Sequence, residues 1–186
     1  MRILTERLAL SPVKINHLSD LFRIYGDPKT NHFNPAGPFP DLMYTKETLE
    51  HWINHWQYYQ FGMWSVTHRK NPEQILGFCG LTHRHFMDRL IINLGYRFAV
   101  DAWGNGYATE VADGMLQAGF EQYELPLICA TVREYHHAST RVLLKAGMNY
   151  VSTIKDQPEA PACHFYQLTR EKWYQKHNFF SVATAC

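Results

Sequence analysis

Hydrophobic and polar positions in the first third of the chain follow two different periods. Residues 3–11 alternate in a strand-like pattern, and the next apolar positions recur at helical spacing up to Tyr25, just before a breaker at residues 26–28. Three prolines and one glycine within residues 34–40 predict a loop, which is also a candidate lid over a site. Thr45 is predicted to cap a second, amphipathic helix.

The rest of the chain predicts strands and helices in succession. The predicted strands cover residues 63–68, 75–85, 90–100, 125–132, 149–154 and 163–168, and the predicted helices cover residues 108–120 and 138–146. Turns are expected at residues 71–72 and 87–89, and Gly147 is the expected C-cap of the last predicted helix. We therefore expect one domain over residues 1–186 with an α+β, three-layer fold, a mixed sheet of about seven strands flanked by four helices.

Composition narrows the possible partners. The chain has 186 residues, a formal net charge of +1 and no run of basic residues, so neither nucleic acid nor an anionic membrane is expected as a partner. The N-terminus does not resemble a secretory signal, and no apolar run is long enough to span a membrane. The four cysteines are far apart and lack metal-ligand spacing: Cys79, Cys129, Cys163 and Cys186. We expect a cytoplasmic protein without a metal.

A glycine-containing turn between a predicted strand and a predicted helix carries the strongest chemical signal. Gly104 and Gly106 let the backbone turn tightly there, so several N–H groups and the positive end of the helix can face an anion such as a pyrophosphate. The nucleotide-binding motifs with a lysine after the glycines or a third glycine are absent. Two glycines alone can also make a tight connection without any ligand.

The residues around this turn resemble motif A of the GNAT acetyltransferase superfamily, in the form Trp103-x-x-Gly106-x-Ala108. Tryptophan stands where glutamine or arginine is usual, and the stretch from Trp103 to Glu110 is similar to the RimJ/RimL-type branch, the ribosomal-protein N-terminal alanine acetyltransferases. Other ordered matches to this branch are Thr5–Leu8, Gly77–Leu81, Ala138–Gly147 and Tyr166–Trp173.

The resemblance implies an N-acetyltransferase with acetyl-CoA as co-substrate and a primary amine as acceptor, either a protein N-terminus or a small molecule. It also implies a mostly antiparallel sheet, in which the strands before and after the pyrophosphate-binding helix splay apart. The backbone N–H of Phe98 is the implied donor to the thioester carbonyl. The implied cofactor-binding residues are Phe98, Ala99, Val100, Trp103, Gly104, Asn105, Gly106, Tyr107, Ala108, Thr109 and His136.

The implied catalytic residues differ from those of many family members. Asn93 stands where a glutamate base is frequent, which leaves His83 and His85 among the candidate bases. Two histidines that are two residues apart on a strand lie on the same face. Such a pair is also common without a catalytic role. Leu143 stands where a tyrosine often protonates the leaving thiolate. Ser139 could supply that proton instead, or it could cap the helix.

The acceptor side is implied to involve the first two helices, their loop and the last strands. The candidate substrate-binding residues are His32, Phe33, Asn93 and Tyr166. Trp52 and Trp56 fall at helical spacing and fit the core better than a ligand site. The implied partners are a CoA thioester and an amine acceptor, and the protein is expected to be a monomer or a homodimer. The alternative function is a CoA-binding sensor module that has lost catalysis, which a turnover assay would distinguish.

Overall fold

The structure is a computed structural model that describes the backbone of residues 1–183 and the side chains through His177. Cys186, the last of the four cysteines, lies outside the described residues. The strands are β1 (Ile3–Leu4), β2 (Leu8–Pro12), β3 (Met63–His68), β4 (Asn71–Phe86), β5 (Arg89–Phe98), β6 (Leu127–Arg133), β7 (Asn149–Ile154) and β8 (Cys163–Thr169). The α-helices are α1 (Leu18–Tyr25), α2 (Leu42–Tyr59), α3 (Tyr107–Gln117), α4 (His137–Lys145) and α5 (Arg170–Ala183).

These strands form one sheet in the order β1-β2-β3-β4-β5-β6-β8-β7. β5 pairs with β6 in parallel at Asn93 and Cys129. The pairs β1–β2, β2–β3, β6–β8 and β7–β8 are antiparallel. The expected α+β fold with a mixed, mostly antiparallel sheet is therefore confirmed.

The described residues contain eight strands and five α-helices, where the sequence predicted about seven and four. The predicted strand at residues 3–11 is divided into β1 and β2, because the Thr5 side chain accepts a hydrogen bond from the Leu8 N–H (3.1 Å) and closes a turn. The additional helix is α5, whose first residue follows β8 directly.

Two local predictions were wrong. Helix α2 begins at Leu42 with Asp41 as N-cap, and the Asp41 carboxylate accepts from the Tyr44 N–H (2.8 Å). Thr45 is instead buried inside the helix. The prediction failed because aspartate caps a helix as well as threonine does. The turn predicted at residues 71–72 lies at residues 69–70, and Pro72 is the second residue of β4, where register shifts in the β3–β4 pairing make a proline tolerable.

By its internal contacts the chain divides into two compact units. The first unit comprises Met1–Thr82 and Leu94–Met115, and the second comprises His83–Asn93 and the chain from Leu116 onward. The single domain expected over residues 1–186 stays a prediction.

Each unit contains its own apolar cluster. In the first unit, α1 and α2 cover one face of β3 and β4, with Leu21, Ile24, Leu49 and Phe78 fully buried. Trp52 and Trp56 pack against this cluster, as expected for core residues. In the second unit, Phe86, Ile91, Cys129 and Cys163 form a smaller cluster, in which the rings of Phe86 and Phe165 stack with centroids 5.5 Å apart.

Candidate active site

The glycine turn connects the end of β5 to the start of α3 in the first unit. After Phe98 the chain makes one 3-10 turn at Val100–Ala102 and then passes through four exposed residues before α3 starts at Tyr107. Gly104 and Gly106 both have φ of +77°, the left-handed region that disfavours side chains. The predicted turn between strand and helix is therefore present, and its two glycines are required by backbone conformation.

The space around the two glycines is open. A Cβ placed on Gly104 would meet no atom within 4 Å, and one placed on Gly106 would meet only Arg7 Nη2 at 3.6 Å. The N–H groups in the first turn of α3 have no acceptor within the helix. Exposed backbone donors at the positive end of an 11-residue helix fit a pyrophosphate well.

Two side chains predicted to bind the cofactor also brace the turn itself. The Trp103 indole Nε1 donates to the Phe98 carbonyl (3.1 Å), while the residue as a whole stays about half exposed (51%). The Asn105 side chain donates to the carbonyls of Ala102 (3.1 Å) and Trp103 (3.0 Å). Both side chains therefore hold the turn in shape, and Asn105 does so with its amide nitrogen.

The backbone at the end of β5 has a defined direction. The Ala99 N–H donates to the Leu76 carbonyl of β4 at 2.9 Å. Because N–H groups alternate in direction along a strand, we expect the N–H of Phe98, the last residue of β5, to point away from β4. Of the implied cofactor-binding residues here, Ala99 therefore has its N–H engaged by β4, whereas Phe98 keeps the expected direction toward a ligand.

A network that the sequence did not predict connects the start of the chain to the turn. The Glu110 carboxylate accepts hydrogen bonds from the Thr5 hydroxyl (2.5 Å), the Arg7 N–H (2.7 Å) and Arg7 Nε (2.7 Å). Arg7 Nη1 also donates to the Asn105 carbonyl (2.9 Å), and the guanidinium lies 4.9 Å from the centre of the Tyr107 ring. Arg7 therefore joins the turn and the first helical residues to the β1–β2 segment.

The electrostatics of this network favour a charged carboxylate. Burial opposes ionisation of Glu110, but the hydrogen bonds from Thr5 and Arg7 outweigh it and hold the pKa of Glu110 below its ordinary value. Thr5, Arg7 and Glu110 all belong to stretches that resemble the RimJ/RimL-type branch. Their pairing is a long-range contact, which no local pattern in a single sequence reveals.

The second unit holds the candidate bases. His83 and His85 both lie on β4, where His83 is half-buried and His85 is exposed. Burial lowers the pKa of His83, so its imidazole is neutral at pH 7 and able to accept a proton. Asn93 is half-buried on β5 opposite Cys129. The roles of all three residues stay predictions.

Helix α4, which carries Ser139, is capped by another residue. The N-cap is His136, whose ring Nδ1 accepts from the Ser139 N–H at a long 3.5 Å. Ser139 is the third residue of the helix and is half-buried. The N-cap position is therefore not held by Ser139, and its hydroxyl keeps the predicted role at the thiolate as a proposal.

The predicted acceptor residues differ in exposure. His32 and Phe33 lie in the first unit just after a 3-10 turn, both exposed, with ring centroids 4.7 Å apart. Tyr166 lies on β8 in the second unit, is 3% exposed and packs edge-on against Tyr150. A contact of Tyr166 with a ligand would involve only a small part of its surface.

Neither a metal site nor a membrane-spanning helix is found in the described residues. No group of three or more His, Cys, Asp or Glu side chains there could hold a metal ion. Across the same residues, no helix has both the length and the hydropathy to cross a membrane.

Comparison with known proteins identifies the family of this chain. Residues 7–149 match the family model described as an acetyltransferase (GNAT) domain. The uncharacterized protein YkkB of Bacillus subtilis (strain 168) is 29% identical over 160 residues, which cover 83% of this chain and 88% of YkkB.

Two solved structures share the fold at low sequence identity. The ribosomal-protein-S5-alanine acetyltransferase from Vibrio fischeri has a TM-score of 0.75 at 14% identity, and the match covers 93% of this chain and 98% of the solved chain. The spermidine N-acetyltransferase from Vibrio cholerae, in complex with CoA and spermine, has a TM-score of 0.75 at 12% identity. This match covers 89% of this chain and 97% of the solved chain. With the family model matching most of its length, this chain is an acetyltransferase that belongs to the GNAT family.

Proposed function

We propose that this enzyme transfers an acetyl group directly from acetyl-CoA to a primary amine of low basicity, either a protein N-terminus or a small molecule. The glycine turn carries the proposal, because two glycines at φ +77° expose backbone donors at the start of α3. When bound, acetyl-CoA supplies an acetyl thioester, whose reaction with a neutral amine forms an amide and releases the CoA thiol. The general activity, acetyl transfer to an amine, is that of the family.

The cofactor contacts follow the directions of the backbone. Residues 103–109 would hold the pyrophosphate through their N–H groups. Phe98 and Val100 would pair with the pantetheine arm, and the Phe98 N–H would donate to the oxygen on which negative charge develops. Ala99 would not donate its N–H to the cofactor, since that group donates to the Leu76 carbonyl. His136 would contact the cofactor beside the start of α4.

The choice of a weakly basic amine follows from the absence of a carboxylate at Asn93. An amide side chain cannot accept a proton at neutral pH, so deprotonation falls to His83, to His85 or to water. An α-amino group, with a pKa of about 8, provides far more neutral amine at pH 7 than a lysine-type amine with a pKa of about 10.4. His83 is the stronger candidate of the two histidines because it is half-buried and neutral at pH 7, whereas His85 is exposed.

Ser139 would serve the leaving group. Its hydroxyl could donate to the CoA thiolate as the carbon–sulfur bond breaks, in place of the tyrosine that many family members carry where this chain has Leu143. Leu143 is 2% exposed and belongs to the core.

On the acceptor side, His32, Phe33, Asn93 and Tyr166 would contact the amine substrate. The two solved neighbours act, by their names, on a ribosomal protein and on spermidine. A polyamine is the less suitable acceptor here, because the first unit places the half-buried cation Arg97 beside the α1–α2 loop. We propose a monomer or a homodimer as the active form.

The test is a panel of acceptors with acetyl-CoA, in which released thiol and acetylated product are both measured. Peptides with free N-termini, α-amino acids and small amines are expected to give thiol above the hydrolysis background, whereas spermine and lysine-type amines give little at pH 7. Faster acetylation of spermine than of every α-amine would contradict the proposed preference. Binding of acetyl-CoA without thiol release from any acceptor would favour a sensor module instead.

A further inference from the structure

Arg97 lies on β5 in the first unit and is held by two neighbours. Its guanidinium Nη1 donates to Asn31 Oδ1, and its Cζ lies 4.3 Å from the centre of the Tyr25 ring. Asn31 and Tyr25 are buried, while the Arg97 side chain is half-buried. The guanidinium is therefore partly removed from water, yet part of it stays accessible.

No carboxylate forms an ion pair with Arg97 in the part of the chain that the structure describes. Burial raises the pKa of Tyr25 to about 12, against the opposing effect of Arg97, so the phenol is neutral at pH 7. A cation withdrawn from water without an anion is costly, and arginine in such a place is usually paired.

The orientation of the guanidinium is fixed by Asn31. The Asn31 Nδ2 donates to the carbonyls of Tyr25 (2.7 Å) and Asp27 (2.9 Å), and its Oδ1 also accepts from Asn34 Nδ2 (3.0 Å). Asn31 uses one N–H of Arg97, and the remaining donors of Arg97 have no acceptor among the described residues. Arg97 thus presents free donors in a preset direction.

The surface beside the Arg97 guanidinium is formed by aromatic side chains. The Tyr25 ring lies 5.0 Å from Phe39 and 5.6 Å from Trp52, centroid to centroid. Phe39, at the end of the loop predicted as a lid, is tied down by its N–H, which donates to the Tyr25 carbonyl at 2.9 Å. This part of the loop is therefore fixed to α1, and it offers apolar surface next to the cation.

We propose that Arg97 binds the carboxylate of the acceptor, so that the substrates of this enzyme are small amines that also carry a carboxylate and an apolar body, such as hydrophobic α-amino acids. This proposal rests on the function proposed above and selects small molecules over protein N-termini. The planar guanidinium fork matches a carboxylate in shape. A single cation balances one negative charge, which fits a carboxylate better than a phosphate dianion.

A purely structural role would be to join β5 to the α1–α2 loop through Asn31. Such a role predicts no preference for anionic ligands in the wild-type protein. The two roles therefore differ in a measurement that needs no mutation.

The experiment compares two matched probes, 3-phenylpropanoate and 3-phenylpropanamide, which differ mainly in charge. Binding to the full chain with CoA present is measured by calorimetry for wild type, Arg97→Gln, Arg97→Lys and Arg2→Gln. Arg2 is exposed, and its replacement makes the same change in net charge. We expect wild type and Arg2→Gln to bind the carboxylate about ten-fold or more tightly than the amide. Arg97→Gln should lose this preference, and Arg97→Lys should keep a smaller one because lysine retains only the charge.

Equal affinity of wild type for the two probes, or no detectable binding of the carboxylate at millimolar concentration, would overturn the proposal. An unchanged preference in folded Arg97→Gln would also overturn it, and if that variant does not fold, Arg97→Lys and the wild-type probe pair still decide. Tighter binding of phenyl phosphate than of 3-phenylpropanoate would overturn the assignment to a carboxylate. Thiol release is assayed separately: carboxylate binding through Arg97 without turnover of any amine would contradict only the proposed function.

Discussion

Arg7 Nε donates to Glu110 Oε2 at 2.7 Å across 103 residues of sequence. The pair fixes the first turn of α3 to the β1–β2 segment, and Arg7 reaches the glycine turn itself through the Asn105 carbonyl. A phosphate-binding turn works best when its backbone donors are already in place, because ordering them during binding would weaken affinity. We therefore expect Arg7 and Glu110 to act as positioning residues for the proposed cofactor site.

Replacing Glu110 with glutamine tests this role and has a defined pH dependence. Because the pKa of Glu110 lies below its ordinary value of 4.5, the carboxylate contributes stability that is fully present above that value and lost as pH falls through the folded-state pKa. We expect Glu110→Gln to lower the free energy of unfolding by about 1 kcal/mol at pH 7, a modest value because the Arg7 side chain is 41% exposed. Denaturant unfolding between neutral and acidic pH measures the difference, which should shrink below the ordinary pKa.

The matched control is Glu47→Gln, an exposed position on α2 with the same change in charge. It should leave both stability and acetyl-CoA affinity unchanged, whereas Glu110→Gln should also weaken acetyl-CoA binding. A stability loss in Glu110→Gln that is the same at every pH would show that the carboxylate charge is not the cause.

Local sequence patterns predicted the elements best where both ends are marked by strong breakers or sharp changes of period. Strands β3 and β7 have the predicted bounds, residues 63–68 and 149–154. The C-cap of α4 is Ala146, one residue before the predicted Gly147, which follows it with φ of +86°. The start of α2 was misplaced because Asp41 and Thr45 are both acceptable caps, and only the folded chain shows which one is used.

The candidate site could be predicted only as far as it is local in sequence. Gly104 and Gly106 are close to the helix whose start they form, so the turn was visible in one short stretch. Arg7 meets Glu110 across 103 residues and Arg97 meets Asn31 across 66. Such pairs depend on how strands and loops are brought together in the fold, and a single sequence carries no signal for them.

Gly106→Ala tests whether the turn binds the cofactor. The added methyl has room, since the nearest atom would be Arg7 Nη2 at 3.6 Å, but φ of +77° is unfavourable for alanine by about 1–2 kcal/mol. We expect a folded protein whose affinity for acetyl-CoA, measured by calorimetry, falls about ten-fold or more.

Gly37→Ala is the matched control for backbone strain. Gly37 has φ of +71°, and a Cβ there would meet no atom within 4 Å. It should lose similar stability but keep its acetyl-CoA affinity. Equal affinity losses in the two variants would mean that strain alone weakens binding, and the turn would lose its assigned role.

His83 is expected to set the acidic limb of the pH–rate profile. Burial lowers the pKa of His83 below its ordinary value of 6.5, so the base form prevails at pH 7 and is lost only as pH falls further. If His83 accepts the amine proton, His83→Gln should reduce kcat/KM at pH 7 by roughly 10²-fold and remove that limb. His85→Gln, two residues away on the same strand and exposed, should leave the profile unchanged. An identical profile in His83→Gln would show that His83 is not the base. The amine would then lose its proton to water, or only its neutral fraction would react.

Ser139→Ala separates chemistry at the leaving group from helix stability. His136 holds the N-cap position of α4, so loss of the Ser139 hydroxyl should leave the melting temperature nearly unchanged. If that hydroxyl protonates the thiolate, kcat should fall roughly 10²-fold while the affinity for acetyl-CoA stays the same. Thr140→Val is the control in the next position, because the Thr140 hydroxyl is buried without a hydrogen-bond partner among the described residues, and its removal should be neutral or stabilising. Unchanged kcat in Ser139→Ala together with a lower melting temperature would assign the hydroxyl to the helix and leave the thiolate to be protonated by solvent.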